Sequence, residues 1–387
     1  MKHYHYIIAG AGCAGLSLAV YLADCARLHG KRILVIDKDA KDENDRTWCF
    51  WETAPGLFEK IVHRRWEKVW FHSVNGASSL LDIRPYTYKM IRSVDFYNHA
   101  RSIIRRRSNF TIKQLNIEKM WSEKDHAFIR AGGETIAADY IFSSIPTSPL
   151  EKQKGKHYLV QHFRSWTIQA DEDAFDANAA TLMDFRAIQH QGVAFVYTLP
   201  VSATEAMVEY TLFSEGPLPQ AEYEKALREH MAKHFPHMTF RVAEETGGVI
   251  PMTNHRFAPH EGRIVFIGTV GGQTKPSTGY TFRFIQQHSR RLTDQLAGSG
   301  HPYLSRRSGW KRFHFYDSVL LRMLSEKSPE GAVVFSRMFT RNPAPRVFRF
   351  FDNVSSLREE LLLTMSLKKL RFIRAAWKEL WLRITGH

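Results

Sequence analysis

Residues 4–16 have the sequence YHYIIAGAGCAGL, which predicts a buried strand, a glycine turn and the start of a helix. The helical pattern continues to Leu28, and a second apolar strand over residues 32–36 ends at Asp37. This order and length are typical of a βαβ unit that binds a dinucleotide. The first part of the chain is therefore predicted to be an α/β dinucleotide-binding domain.

Each glycine of this turn has its own physical role. Gly10 makes the tight turn, Gly12 lets the backbone approach a pyrophosphate, and Gly15 lets the helix pack closely on the strand. The helix N-terminus offers amide groups and a positive dipole end to phosphate. Asp37 is expected to accept hydrogen bonds from an adenosine ribose. The fingerprint leaves FAD and NAD open, but its position at the start of a long chain favours tightly held FAD.

Composition limits the classes of protein to consider. The chain has 387 residues, 44% hydrophobic and 24% charged, which predicts a folded protein of two or three domains. Its net charge of +15 favours a negatively charged partner: nucleic acid, an acidic membrane surface or a phosphorylated cofactor. We expect no nucleic-acid binding, because the sequence has no zinc-finger spacing or other recognisable module.

The three cysteines, Cys13, Cys25 and Cys49, form no CxxC pair, which indicates a reducing compartment. No uncharged apolar run reaches the length of about 18 residues that would span a membrane, and we identify no secretory leader. The sequence thus predicts a cytoplasmic location.

The pattern along the chain predicts three regions. Residues 1–150 and 256–300 are expected to form one split, Rossmann-like FAD-binding domain. Long alternating strands over 151–255, joined by part of 45–90, predict an antiparallel substrate domain inserted into it. Residues 301–387 are predicted to be helical.

A second strand, glycine loop and helix unit begins at residue 263. We expect its loop to close over the ribityl chain, pyrophosphate or flavin ring. The residues predicted to contact the cofactor are Gly10, Gly12, Ala14, Gly15, Asp37, Lys38, Arg46, Gly268, Gly271, Gly272, Thr278 and Gly279.

Two further patterns have more than one interpretation. His230 and His234 have the spacing of metal ligands on one helical face, but no neighbouring carboxylate or cysteine completes a set, so we interpret them as surface histidines and expect no metal. Residues 367–384 combine basic and apolar side chains, which fits either an anionic membrane surface or a closing helix with solvated charges.

Motifs spread over most of the chain resemble those of the lycopene cyclases, of the bacterial β-cyclase type and also of plants. The matching segments are 10–17 (GAGCAGLS), 45–51 (DRTWCFW), 161–163 (QHF) with Trp166, 183–186 (MDFR), 195–200 (FVYTLP), 209–211 (EYT), 248–252 (GVIPM) and 275–282, which contains STGY. Such a series in one order is far more specific than the glycine fingerprint.

The resemblance implies a non-redox flavoprotein that isomerises lycopene to β-carotene by way of γ-carotene. It implies FAD in its reduced form, with NADPH or NADH as reductant, and peripheral association with the membrane that holds the substrate. Proton-initiated cyclisation needs an acid, a negative partner for the developing cation and walls that exclude water. The alternative is a redox flavoenzyme, a hydroxylase or reductase, acting on another apolar isoprenoid.

The resemblance also points to Glu209 as the catalytic acid, since it matches the first acid of the family's paired acidic motif. Tyr210 stands where the family has the second acid. Asp184 and Arg186 are expected either to form a buried ion pair or to shape the pocket. Five aromatic residues are candidates for lining a substrate tunnel, with core packing as the alternative: Trp48, Phe50, Trp51, Trp166 and Phe195.

Overall fold

The computed structural model describes residues 2–146, 150, 152–189, 192–305, 308–325, 330–367 and 369–385. In chain order its strands are β1 (His3–Ala9), β2 (Ile33–Asp37), β3 (Thr47–Glu52), β4 (Arg64–Trp66), β5 (Lys68–His72), β6 (Ser78–Asp82), β7 (Thr87–Arg92), β8 (Phe110–Gln114), β9 (Ile117–Ser122), β10 (Ala127–Ala131), β11 (Glu134–Ser143), β12 (Tyr158–Ala170), β13 (Ala179–Asp184), β14 (Val193–Pro200), β15 (Glu205–Ser214), β16 (Phe240–Thr253), β17 (His260–Glu261) and β18 (Ile264–Phe266).

The α-helices, again in chain order, are α1 (Cys13–Asp24), α2 (Ser93–Arg105), α3 (Gln220–His234), α4 (Phe282–Ser299), α5 (Trp310–Ser325), α6 (Glu330–Arg341), α7 (Ala344–Phe351), α8 (Leu357–Ser366) and α9 (Lys369–Thr385). The first helix ends earlier than its sequence pattern predicts. Cys25 has an extended backbone, and the predicted last turn is a separate 3₁₀ turn at Ala26–Leu28. None of the helices described has both the length and the apolar character needed to cross a bilayer.

The first sheet has a parallel centre, in the order β18-β11-β1-β2-β8, with β17, β10 and β9 added antiparallel. Its central strands are apolar on both faces, as expected for a covered parallel sheet. Helices α1, α2 and α4 supply the core on one face. The late strand β18 pairs with β11, so residues from both ends of the predicted split domain meet in one sheet.

The second sheet has the order β16-β12-β15-β14-β13-β5-β6. Its pairs are antiparallel, as predicted, except that β13 runs parallel to β5. Strands β5 and β6 come from the segment before α2. This segment leaves the first sheet after β2, adds two strands to the second sheet, and leads back to the first sheet at β8. Strands β3, β7 and β4 form a small third sheet.

Two separate cores cover the two faces of the second sheet. Helix α3 packs on one face, around Trp166, Tyr210 and Leu227. The C-terminal helices pack on the other face, around Phe195, Phe213 and Phe335. The mixed α/β fold with a helical C-terminal region confirms the predicted fold class.

Candidate active site

The N-terminal glycine turn has the geometry that its sequence predicts. Gly10 has a φ of +99°, a conformation that side chains disfavour. A Cβ at Gly15 would lie 1.8 Å from the carbonyl oxygen of Gly10, so only glycine allows α1 to start this close to the strand. A Cβ at Gly12 would meet no atom within 4 Å, and the backbone there is open to a ligand.

Asp37 lies beside this turn. One of its carboxylate oxygens accepts a hydrogen bond from the amide of Ala11 at 2.6 Å, and the other accepts one from the amide of Asp39 at 2.9 Å. The carboxylate therefore holds the end of β2 against the turn. The side chain of the neighbouring Lys38 is exposed.

A cavity of about 880 Å³ runs from the glycine turn to Glu209. Six of the predicted cofactor residues line it: Gly12, Ala14, Arg46, Gly268, Thr278 and Gly279. The other six lie outside its lining: Gly10, Gly15, Asp37, Lys38, Gly271 and Gly272. One continuous space thus joins the phosphate-binding type of turn to a buried carboxyl group in the second sheet.

The second glycine loop packs against both sheets. Gly268 and Gly279 have φ values of +67° and +73°. A Cβ at Gly268 would lie 2.8 Å from the Cβ of Ala14, and one at Gly279 would lie 2.0 Å from Oε1 of Gln161. Side chains at these two positions would push the loop away from α1 and from β12.

A buried ion pair fixes this loop to α5. Nζ of Lys275 lies 2.8 Å from Oδ1 of Asp317 and donates to Oδ1 of Asn353 at 2.6 Å. The hydroxyl of Ser277 also donates to Asp317, at 2.7 Å. Lys275 is fully buried, so removal of either partner would leave an uncompensated charge inside the protein.

The cavity offers unused polar atoms to a cofactor. Oε1 of Gln161 and Oγ1 of Thr278 are buried and accept or donate no hydrogen bond within the described residues. Buried polar atoms are normally satisfied, and both residues line the cavity next to Gly279. Together with the open backbone at Gly12, they fit a polar ligand such as a flavin dinucleotide.

Glu209 lies in the middle of β15 with its side chain 9% exposed. Its carboxyl group accepts hydrogen bonds from the hydroxyls of Ser165, on the paired strand β12, and Thr211, the latter at 2.8 Å. Burial raises the pKa of Glu209, and the two hydroxyls oppose that rise. The result is a carboxyl group that keeps its proton more readily than an exposed glutamate.

Aromatic hydroxyls surround this end of the cavity. Tyr88, Tyr197 and Tyr280 line it with Cys49, and the hydroxyls of Tyr197 and Tyr280 lie 3.2 Å apart. Burial raises the pKa of Tyr197 well above its ordinary value, and it raises the pKa of the Cys49 thiol to about 12. These groups are therefore neutral. The sequence signal for Tyr197, Tyr280 and Cys49 was their place in matched motifs, whereas Tyr88 lies in none of those motifs.

Only Trp48 of the five aromatic tunnel candidates lines the cavity. The other four, Phe50, Trp51, Trp166 and Phe195, belong to the hydrophobic cores. Tunnel lining is therefore wrong for these four. Trp166 lies on the α3 face of its sheet, whereas Phe195 shares a face with Tyr197 but packs against residues such as Phe185 and Phe213. Tyr210 is also buried in a core, and its hydroxyl donates to the carbonyl of Ile188 at 2.9 Å.

Asp184 and Arg186 form an ion pair, with Nη2 of Arg186 2.5 Å from Oδ2 of Asp184. Neither residue lines the cavity. The surface interpretation of His230 is wrong: its side chain is 5% exposed, and it lies near Asp184. Burial lowers the pKa of His230 to about 4, so the imidazole is neutral at physiological pH.

Several solved structures share this fold at low sequence identity. A flavoprotein/dehydrogenase from Cytophaga hutchinsonii matches with a TM-score of 0.66 at 10% identity, covering 96% of this chain and 98% of that chain. A geranylgeranyl bacteriochlorophyll reductase-like protein from Thermoplasma acidophilum matches with a TM-score of 0.59 at 11% identity, covering 98% and 96%. The chain thus shares the fold of these proteins and has a glycine turn of the dinucleotide-binding type.

The family match is more specific than the similarity in fold. The family model described as lycopene cyclase protein matches residues 6–378, so the chain belongs to the lycopene cyclase family. A lycopene beta-cyclase from a Paracoccus species is 23% identical over 380 residues, which cover 92% of each chain. The resemblance inferred from the sequence motifs is confirmed.

Proposed function

We propose that this chain is a lycopene β-cyclase that closes the ends of lycopene into β-rings without net oxidation or reduction. The observation that carries the proposal is Glu209, a buried carboxyl group at the end of a cavity that also contains the glycine turns. Family membership supports the carotenoid substrate. The fold supports FAD as cofactor, and we propose NADPH or NADH as its reductant.

Glu209 is the proposed acid. Its carboxyl proton passes to the terminal alkene of the acyclic end group, which gives a tertiary cation. The neighbouring alkene attacks that cation and closes the six-membered ring. Loss of a ring proton to the carboxylate of Glu209 forms the new double bond and restores the acid. One proton enters and one leaves, so the product is an isomer of the substrate.

The walls of the cavity would protect the cation. The rings of Tyr88, Tyr197 and Tyr280 present π-electron density, which favours a nearby positive charge. Their packing excludes water that would otherwise quench the cation. A bound reduced flavin would supply negative charge that stabilises the cation. The proposed contacts of this cofactor along the cavity are Gly12, Ala14, Arg46, Gly268, Thr278 and Gly279.

Asp37 and Lys38 are proposed to contact the adenosine end at the rim. The proposed role of the remaining four glycines is to shape the two glycine loops and not to contact the cofactor directly: Gly10, Gly15, Gly271 and Gly272. Gly271 fits this role because a Cβ there would lie 2.2 Å from the carbonyl oxygen of Phe266.

The test is the balance between product and reductant. Purified, flavin-loaded protein is reduced anaerobically with NADPH and given lycopene in lipid vesicles. We expect cyclic carotene of unchanged mass, with no NADPH consumed beyond the initial flavin reduction. Consumption of one NADPH per product would instead establish a redox reaction. Unchanged lycopene with a folded, flavin-loaded protein would overturn the proposal.

We also propose that the C-terminal helices dock on the membrane that holds the substrate. Apolar side chains that are exposed on α8 and α9 form the proposed docking surface: Leu357, Leu361, Leu362, Met365, Ile373, Trp377, Leu380, Trp381 and Ile384. Trp377 is 66% exposed, and the exposed Arg374 and Lys378 share its helix. The opposite side of α9 packs on α5, where Arg322 donates to Glu379 at 2.6 Å. Such a surface fits anionic lipid.

Flotation with vesicles tests this surface. We expect binding to anionic vesicles that weakens with added salt, and a lower bound fraction for Trp377→Ser. Leu80→Ser is the control, since Leu80 is an exposed apolar residue on β6, away from these helices. Equal loss in both variants, or no binding of the wild type, would overturn the docking proposal.

A further inference from the structure

A cluster of two histidines and one aspartate lies between α3 and β13, on the side of the second sheet away from Glu209. Asp184 pairs with Val196, which in turn pairs with Tyr210. Directly paired residues share a face of the sheet, and neighbours in a strand face opposite sides. The cluster is therefore separated from the cavity by the sheet.

The cluster has the donor atoms of a metal site at a somewhat wider spacing than a bound ion would give them. His230 and His234 are one turn apart on α3, with ring centroids separated by 4.5 Å. Nε2 of His230 lies 3.9 Å from Oδ2 of Asp184, and one donor atom of each residue lies within 4.8 Å of the others. Ligands around a tetrahedral zinc ion are roughly 3–4 Å apart. Small rotations of the side chains would bring the three atoms to that spacing.

Two ring nitrogens of the cluster have unused bonding capacity. Nδ1 of His230 and Nε2 of His234 are buried, and neither makes a hydrogen bond within the described residues. A buried polar atom without a partner is costly. Neutral imidazole is also the form that binds metal ions. A bound cation would satisfy at least one of these nitrogens.

We propose that Asp184, His230 and His234 form a site for a divalent transition-metal ion, with Zn²⁺ the best match to two imidazoles and one carboxylate. Asp184 also accepts hydrogen bonds from Arg186, but a carboxylate has about four acceptor positions. The ion joins α3 to β13 and has a structural role, because the sheet separates it from Glu209. The sequence missed the site because its carboxylate lies 46 positions before the first histidine.

Metal titration of the intact protein tests this assignment. Chelator-treated, desalted wild type is titrated with Zn²⁺ and with Co²⁺, whose visible spectrum reports imidazole coordination. We expect one Zn²⁺ per chain, and at least about tenfold weaker binding in His230→Gln and in His234→Gln. His237→Gln is the matched control, since His237 is exposed and lies just beyond α3.

A second control addresses the partly exposed group His3, His126 and Asp139, which has similar spacing. Loss of the bound ion in His126→Gln, or wild-type affinity in both α3 variants, would overturn the proposal. His234 is only partly buried, so His234→Gln is expected to fold. We expect Zn²⁺ to raise the melting temperature of the wild type but not that of His234→Gln, and an equal rise in both would also overturn it.

Discussion

Glu209 and Tyr210 are neighbours in β15, and their side chains enter two different environments. Glu209 faces the cavity, where two hydroxyls hydrogen-bond to it. Tyr210 faces the core under α3, where its hydroxyl has a single backbone partner. The comparison shows that one strand places a carboxyl group in the cavity and an aromatic side chain in the core, through the alternation of its side chains. It also explains how the second acid of the family motif can be absent here: the position faces away from the cavity.

The largest expected effect comes from Glu209→Gln. The amide has nearly the same shape but no proton to donate, so we expect cyclisation to fall by about 10² to 10⁴-fold. Pigment analysis of a lycopene-accumulating host measures it, together with the flavin content of the purified variant. Glu245→Gln is the control, since Glu245 is exposed on β16. Full activity of Glu209→Gln would show that Glu209 is not the acid of the reaction.

The pH dependence of cyclisation is expected to follow the raised pKa of Glu209. The acid must be protonated, so activity should be constant below that pKa and fall about tenfold per pH unit above it. Initial rates of the purified protein across a pH series measure this. A rate that rises through the same range would show that Glu209 acts first as a base.

The same shift has a consequence for folding. Between the ordinary pKa of glutamate and the raised pKa of Glu209, the native state binds more protons than the unfolded state. The free energy of unfolding should therefore decrease as pH rises through that window and then level off. Glu209→Gln should remove this part of the slope, which urea unfolding at several pH values would detect.

For Tyr210, on the other face of β15, we expect an effect on stability and none on the rate of cyclisation. Tyr210→Phe leaves the carbonyl of Ile188 without its partner, so we expect a loss of about 1–2 kcal/mol in the free energy of unfolding. The rate of cyclisation per folded molecule should not change. Urea unfolding and a rate assay test the two parts separately. A lower rate in a fully folded Tyr210→Phe protein would contradict the separation of the faces.

The parts of the fold that depend on local pattern could be predicted from the sequence. The turn at Gly10 to Gly15 has a strong glycine signal, and the alternating strands β12, β14 and β15 lie in the segment 151–255 where such strands were predicted. The parallel pairing of β13 with β5 could not be predicted, because alternation within a strand does not specify its neighbour. For the same reason, the sequence could not predict that Tyr88 reaches the cavity from β7.

Which residues of a strand reach the cavity could not be predicted either. Phe195 and Trp166 have the composition of a tunnel wall, yet both pack in cores, whereas Tyr197, two residues after Phe195, lines the cavity. The burial of His230 could not be predicted, because the sequence does not show where α3 packs. Family motifs supplied Glu209, because a glutamate in a strand is by itself no sign of an acid catalyst.

The smallest expected effect is a shift in the pH profile of the rate. Two buried threonines on opposite faces of the second sheet test it. Thr211 donates to Oε1 of Glu209 at 2.8 Å, while Thr198 pairs with Val208 on the α3 face. The hydroxyl of Thr211 holds down the pKa of Glu209, so Thr211→Val should raise that pKa and move the falling limb of the rate profile to higher pH, by roughly one unit or less. Thr198→Val should leave the limb in place. A shift to lower pH in Thr211→Val, or equal shifts in both variants, would mean that the limb reports a group other than Glu209.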